Sequence, residues 1–167
     1  MKRNNSDIQP FTLLPKEILD ALYPHFVYET HKKGAILLVQ EVSRVEKLYI
    51  LSRGSAQYYY QYQHSRILEE MLGEKETYGG ISILMNDGLS VRTLEILEDS
   101  TFMTLEASHF LDICQQSEAF EDYFTSRFGR QMRNKAYAGI IGRHIQDKEL
   151  NFPFFNQPIS AIFRPNI

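Results

Sequence analysis

A mainly β fold flanked by helices is the class this sequence predicts, and three observations predict it. Between residues 25 and 106, short strand-like runs alternate with turn signals at Lys33-Gly34, Arg53-Gly54 and Asp87-Gly88. On either side, apolar residues recur at helical spacing, as Leu14, Ile18 and Leu22 before and as Phe120, Phe124 and Phe128 after. Hydrophobic residues make up 43% of the 167-residue chain and aromatics 13%, enough for one domain with a buried core and an appendage. Strands this short and closely spaced suggest a sandwich, a jelly roll or a small barrel.

The elements follow in order. Residues 1–24 form an N-terminal helical segment, in which Leu13, Leu14, Ile18, Leu19 and Leu22 share helical spacing. Pro15 suits a first helical turn, and Pro24 ends the helix. The strand candidates are His25 to Thr30, Ala35 to Val39, Lys47 to Leu51, Ser55 to Gln63, Ile67 to Leu72, Arg92 to Leu97 and Thr101 to Glu106. Alternation puts Tyr58, Tyr60 and Tyr62 on one face of their strand and Tyr59 and Gln61 on the other. Such rings serve core and rim packing, or a platform for a stacked base. Ala107 to Cys114 reads as a short helix.

A long helix over residues 117–147 comes next. Ser117 is its expected N-cap, with Glu118, Glu121 and Asp122 in the first turn and Arg127, Arg130, Arg133 and Lys135 farther along. Its apolar stripe, Phe120, Phe124, Phe128, Met132, Ala136 and Ile140, recurs every fourth residue. Four residues overshoot one turn by roughly 40°, so the stripe winds around the helix. Its first half is expected to pack on the β domain and its second half on something else. The small residues Ala136, Ala138, Gly139 and Gly142 would admit a close neighbour, and a second copy of the chain is the expected partner. Residues 148–167 hold two prolines and three phenylalanines between Asn151 and Pro158 and read as a linker or docking strip.

The chemistry concentrates in Tyr78-Gly79-Gly80-Ile81-Ser82-Ile83-Leu84, followed after a loop by Ser90-Val91-Arg92-Thr93. Glycines let backbone approach a ligand closely. Free N–H groups at the start of a helical turn favour negative charge. Arginine grips two phosphate oxygens with its planar fork. The bland alternative is a tight turn beside a solvated arginine.

The order of these parts resembles the cyclic-nucleotide-binding domain, the sensor half of bacterial catabolite-activator-type regulators and of kinase regulatory subunits. The resemblance covers roughly residues 10–145. Phe11-Thr12-Leu13-Leu14-Pro15-Lys16-Glu17 is similar to the family's first helix, Lys33-Gly34-Ala35-Ile36-Leu37 to its second strand and turn, and Leu48-Tyr49-Ile50-Leu51-Ser52-Arg53-Gly54 to its tyrosine-bearing strand. Tyr78-Gly79-Gly80-Ile81 resembles the phosphate-binding cassette, and Arg92-Thr93 its arginine and small polar partner.

The resemblance implies a double-stranded β-helix, a jelly-roll-like β-roll of about eight strands, over residues 25–116. It also implies a ligand site at Gly79, Gly80, Ile81, Ser82, Arg92 and Thr93. The family's ribose-holding glutamate is replaced here by Gly80, with Glu74 or Glu76 as candidate substitutes. A turn glycine expected near residue 41 is Glu41. A narrower resemblance links the cassette and the Phe-rich tail to bacterial proteins in which such a domain precedes CBS domains and a nucleotidyltransferase module. Residues 158–167 would begin the CBS module.

The implied function is a non-catalytic sensor that binds a cyclic nucleotide or another phosphate-bearing small ligand and relays the signal through its C-terminal helix. The alternative is a degenerate domain that binds no ligand and serves dimerisation or interdomain contacts. A metalloenzyme on a similar roll is disfavoured, because His25, His31, His64, His109 and His144 are scattered and form no His-x-His pair. Neither a metal nor a cofactor is expected. A net charge of −3 and a pI near 6.0 give no general reason to expect nucleic acid as partner. No helix-turn-helix fits the Pro- and Phe-rich residues 148–167. Cys114 has no partner for an internal disulfide, and no apolar run reaches membrane-span length. The expected location is the cytoplasm.

Overall fold

The computed structural model describes residues 7–151, with side chains described through residue 146. Helix α1 (Lys16–Leu22) is preceded by a 3-10 turn at Phe11–Leu13 and followed by another at Tyr23–His25. Six strands follow: β1 (Val27–His31), β2 (Ile36–Leu38), β3 (Lys47–Tyr62), β4 (Ser65–Leu72), β5 (Thr77–Tyr78) and β6 (Thr93–Glu106). Helix α2 (Gly80–Met85) lies between β5 and β6, and α3 (Ala107–Gln116), α4 (Glu118–Thr125) and α5 (Phe128–Asn151) close the described chain. All strand pairs are antiparallel in one sheet ordered β1-β6-β3-β4, with β2 also on β6 and β5 on β3. The mainly β class with a long C-terminal helix is therefore observed.

The strands are fewer and longer than the sequence predicts. Lys47 to Leu51 and Ser55 to Gln63 are one strand, β3, and the two candidates on either side of Glu98-Asp99-Ser100 are likewise one strand, β6. Arg53-Gly54 is not a hairpin turn. It is a bulged bend, where the β3–β6 register shifts between Leu51 and Ala56. Gly54 has φ +112°, and a Cβ there would lie 2.2 Å from Ser100 Oγ and 2.7 Å from Ser100 Cα. Bending, not reversal, lets each long strand serve both halves of the roll. Strand β5 has only two residues, too few to leave a periodic pattern.

Three buried clusters divide the core. The first joins Phe11, Leu19 and Leu22 to Leu48, Ile50 and Leu105, and to Phe110, Phe120 and Phe124 of α3 and α4. The second fills the roll with Leu38, Leu51, Leu72, Leu94, Ile96 and Phe102. The third seats Ala138 and Ile141 of α5 against Tyr60, Ile67 and Val91. Each fully buried Phe or Leu contributes about 1.5–3 kcal/mol over an exposed one.

The C-terminal helix is in two pieces. Ser117 caps α4 as expected, its Oγ accepting from Phe120 N–H at 3.2 Å. At the other end, Arg127 Nη1 and Ser126 Oγ donate to the Tyr123 carbonyl at 2.5 and 3.3 Å. The Arg127 N–H bonds to Phe124 at 3.1 Å instead of continuing the α-helical ladder. Side chains thus take the carbonyl that the next turn would need. Along α5, Ala138 and Gly142 face the chain's own roll rather than a second copy. The Tyr62 ring would lie 2.3 Å from a Cβ at Gly142. The apolar stripe is therefore split between two helices: Phe120 and Phe124 of α4 are buried, whereas Ile140 of α5 is 46% exposed. The Phe-rich strip and the CBS expectation at residues 158–167 lie outside the described residues.

Candidate functional site

The cassette begins where β5 stops. Gly79 has φ +110°, and a Cβ there would meet Val45 Cγ1 at 2.9 Å and the Lys47 carbonyl at 3.1 Å, so only glycine makes this turn without strain. Gly80 starts α2 and is held by a different contact. A Cβ at residue 80 would lie 2.4 and 2.5 Å from Cδ1 and Cε1 of Phe124. The α4 ring thus packs onto the backbone where a longer side chain would begin. Ser82 is buried, and its Oγ accepts from Val91 N–H at 3.1 Å, tying the cassette to the segment before β6.

Arg92 lies one residue before β6, its backbone clamped on both sides. The Tyr78 hydroxyl accepts from Arg92 N–H at 3.2 Å and donates to the Arg92 carbonyl at 2.9 Å. Ser90 Oγ donates to the same carbonyl at 2.6 Å. The guanidinium points into the protein and is 5% exposed as a residue. Its Cζ stacks 3.8 Å from the Tyr58 ring centroid and 5.8 Å from that of Tyr60. Nη1 reaches Glu70 Oε2 at 3.4 Å, and Nε is buried without a hydrogen-bond partner. Burial pushes the Tyr58 and Tyr60 hydroxyls up to about 12, against the opposing pull of the Arg92 charge, and burial also raises Tyr78. All three stay neutral around the cation at ordinary pH.

Arg92, Tyr58, Glu70 and Tyr78 line a cavity of about 440 Å³ together with Gly79, Gly80, Ile81 and Ser82. Five of the six residues expected at the site are therefore gathered in one place. Thr93 is not among the lining residues; its Oγ1 accepts from Gln40 N–H at 3.0 Å. Of the two candidate substitutes for the missing carboxylate, Glu76 lines the cavity. Glu74 does not, and accepts from Gly54 N–H at 3.4 Å. Tyr58 belongs to the site, but what stacks on it is Arg92.

Sequence reasoning missed Glu70, Gln131, Asn134 and Phe124 at the site. Counted back from Tyr62↔Ser65 and Tyr60↔Ile67, an unbroken hairpin would put Glu69 opposite Tyr58. A bulge at Leu68, φ +53°, inserts one residue and brings Glu70 there instead. Gln131 and Asn134 reach the site because α5 lies on the roll, where the Tyr60 hydroxyl donates to the Gln131 carbonyl at 3.1 Å. Asn134 is 2% exposed, and its Oδ1 has no partner. Of the other cations lining the cavity, Lys75 pairs with Asp7 Oδ2 at 2.6 Å, and Arg127 stacks on Tyr123 with Cζ 3.7 Å from the ring centroid. Elsewhere, His25 and His109 stack on each other at 3.9 Å.

Several solved structures share this fold. The sensor domain of the transcriptional regulator DNR from Pseudomonas aeruginosa aligns with a TM-score of 0.63 at 18% identity, over 75% of this chain and 89% of its own. The catabolite activator protein of Thermus thermophilus aligns with a TM-score of 0.62 at 18% identity, over 77% of this chain and 60% of its own. A mutant regulatory subunit of a cAMP-independent protein kinase A from Trypanosoma brucei, bound to cAMP, aligns with a TM-score of 0.56 at 16% identity, over 72% of this chain and 48% of its own. This chain thus spans between 48% and 60% of the length of the larger relatives. No curated protein sequence matches it. The family model for the cyclic nucleotide-binding domain matches residues 28–117, more than half of the chain. With a cassette, a buried arginine and a roll in the expected order, this chain belongs to the cyclic nucleotide-binding domain family.

Proposed function

We propose that this chain is a non-catalytic sensor module that takes a phosphate-bearing small ligand at Arg92 and passes the effect of binding to α4 and α5. One observation carries this reading. A buried guanidinium lines the cassette cavity with its Nε unpartnered, and native proteins seldom leave a buried donor so. The backbone of Gly79 to Ser82 completes the phosphate end. The relay has a physical route, because Phe124 of α4 rests on Gly80 and Gln131 of α5 is bonded to Tyr60. A second copy of the chain packing on the exposed face of α5 around Ile140 is part of the proposal.

The ligand is not expected to be cyclic AMP bound tightly. Gly80 offers no carboxylate to a ribose hydroxyl, and a charge-assisted hydrogen bond contributes about 1.5–3 kcal/mol, roughly one to two decades of affinity. Titration calorimetry with cyclic AMP, cyclic GMP and inorganic phosphate tests the reading. Weak nucleotide binding, and anion binding lost in Arg92→Ala, are expected. Tight cyclic AMP binding would overturn the ligand assignment, and an unchanged Arg92→Ala variant the site itself. The second reading, a domain that holds itself closed without ligand, is favoured by the Glu70 carboxylate already beside Arg92. Under that reading no anion binds the wild type, and Glu70→Gln, which removes the internal counter-charge, frees Arg92 to bind one.

A further inference from the structure

Charge divides sharply along the C-terminal helices. Residues 107–126 hold Asp112, Glu118, Glu121 and Asp122 and no lysine or arginine. Residues 127–146 hold Arg127, Arg130, Arg133, Lys135 and Arg143 and no aspartate or glutamate. The two sets do not neutralise each other within the chain. Lys135 pairs with Glu41, Arg127 stacks on Tyr123, and no ion pair among the described residues joins any of the four carboxylates to a cation.

The outward side of α5 is a seam. Gly129, Arg133, Ala136, Ile140 and Arg143 are all exposed and follow one another at steps of four and three residues, which sets them along one helix face. A Cβ at Gly129 would meet nothing within 4 Å, so the chain itself leaves that end of the seam open. Ile140 is the large apolar residue of the seam, and both of its charges are positive. On α4, Glu118 and Asp122 are exposed one turn apart. Helix α3, packed on α4 through Phe110, adds exposed Asp112 and Leu111.

Pairing the seam with its own copy is unfavourable. In an in-register two-fold coiled coil, Arg133 and Arg143 would each meet themselves, and like charges set against one another cost affinity. The α3–α4 surface of a second copy offers the opposite sign and, in Leu111, an exposed apolar residue to match Ile140. A two-fold axis makes that contact twice, because each copy brings both surfaces. Resting on the reading that two copies pair through α5, we propose that the seam of one copy docks on the acidic α3–α4 surface of the other, and not on the second α5.

Sedimentation of the 167-residue chain and of two charge-swapped variants tests this. One variant carries Glu118→Lys with Asp122→Lys, the other Arg133→Glu with Arg143→Glu. The wild type is expected to form a dimer. Each variant alone is expected to self-associate at least about tenfold more weakly, because like charges then meet at the docked surfaces. An equimolar mixture of the two is expected to restore the dimer, since each supplies the sign the other lacks. Circular dichroism confirms that each variant is folded. A second measurement needs no variant. Raising salt from about 0.1 M to about 1 M shortens the Debye length from about 10 Å to about 3 Å and is expected to loosen the wild-type dimer, whereas a seam-on-seam dimer would hold or tighten. Undiminished dimerisation of the Glu118→Lys, Asp122→Lys variant alone, a mixture that stays monomeric, or a dimer that salt does not loosen overturns the inference and leaves pairing through α5 standing. Growth of the wild type beyond a dimer overturns the two-fold arrangement. A monomeric wild type overturns the pairing itself.

Discussion

A methyl group at residue 80 has nowhere to go, since the Phe124 ring occupies the space within 2.5 Å of it. Gly80→Ala is therefore expected to destabilise the fold by about 1–3 kcal/mol, the usual cost of overpacking, as measured by urea denaturation. Phe124→Leu in the same chain should recover part of that loss, because a smaller side chain leaves room. The departure from the glutamate expected at this position thus has a packing reason. A second prediction concerns Glu29, whose carboxylate accepts from Lys47 Nζ and lies 3.0 Å from His31 Nε2. Partial burial opposes its charge, but these two partners outweigh burial and hold it below the ordinary value of 4.5. A carboxylate depressed on folding contributes stability above its unfolded pKa, and that stability is lost as pH falls through the folded one. Melting temperature should accordingly drop below about pH 4.5, and Glu29→Gln should flatten part of that drop.

At the scale of elements, the two-piece C-terminal helix depends on local caps. Ser117 supplies the side-chain cap of α4, and it precedes Phe120 and Phe124, both in the main core. Ser117→Ala should cost about 1 kcal/mol, read as a lower denaturation midpoint with an unchanged slope. The carbonyl of Tyr123 explains why the helix stops at Thr125, although its apolar spacing runs on without a break. Periodicity records which face is apolar. It does not record a side chain that competes for a backbone acceptor. The same limit hid the bend at Gly54, where a turn-like dipeptide lies within a strand that continues.

At the scale of the molecule, the roll, α4 and α5 enclose the cavity from three sides. Helix α5 lays Ala138 and Ile141 on the roll and leaves Ile140 outward. Ile140→Lys should not disturb the monomer, because the side chain is exposed. Under the proposed pairing of two copies through α5, it should shift sedimentation from dimer to monomer. A monomeric wild type would refute the pairing.

Much of this could be read from the chain alone. Alternation, turn residues and the Ser117 cap are local, and they determined a β-rich domain between helices. The glycine pair and Arg92 were legible as parts of one candidate site because closeness of backbone and a planar cation are properties of those residue types. Other features were decided only by tertiary structure: the fusion of four strand candidates into two bent strands, Glu70 in place of Glu69, Thr93 turned to Gln40, and Asn134 in the cavity. Each depends on a bulge or on helix-to-roll packing. A one-residue shift in register changes which side chain faces inward, and no short sequence window records which distant surface a helix will cover.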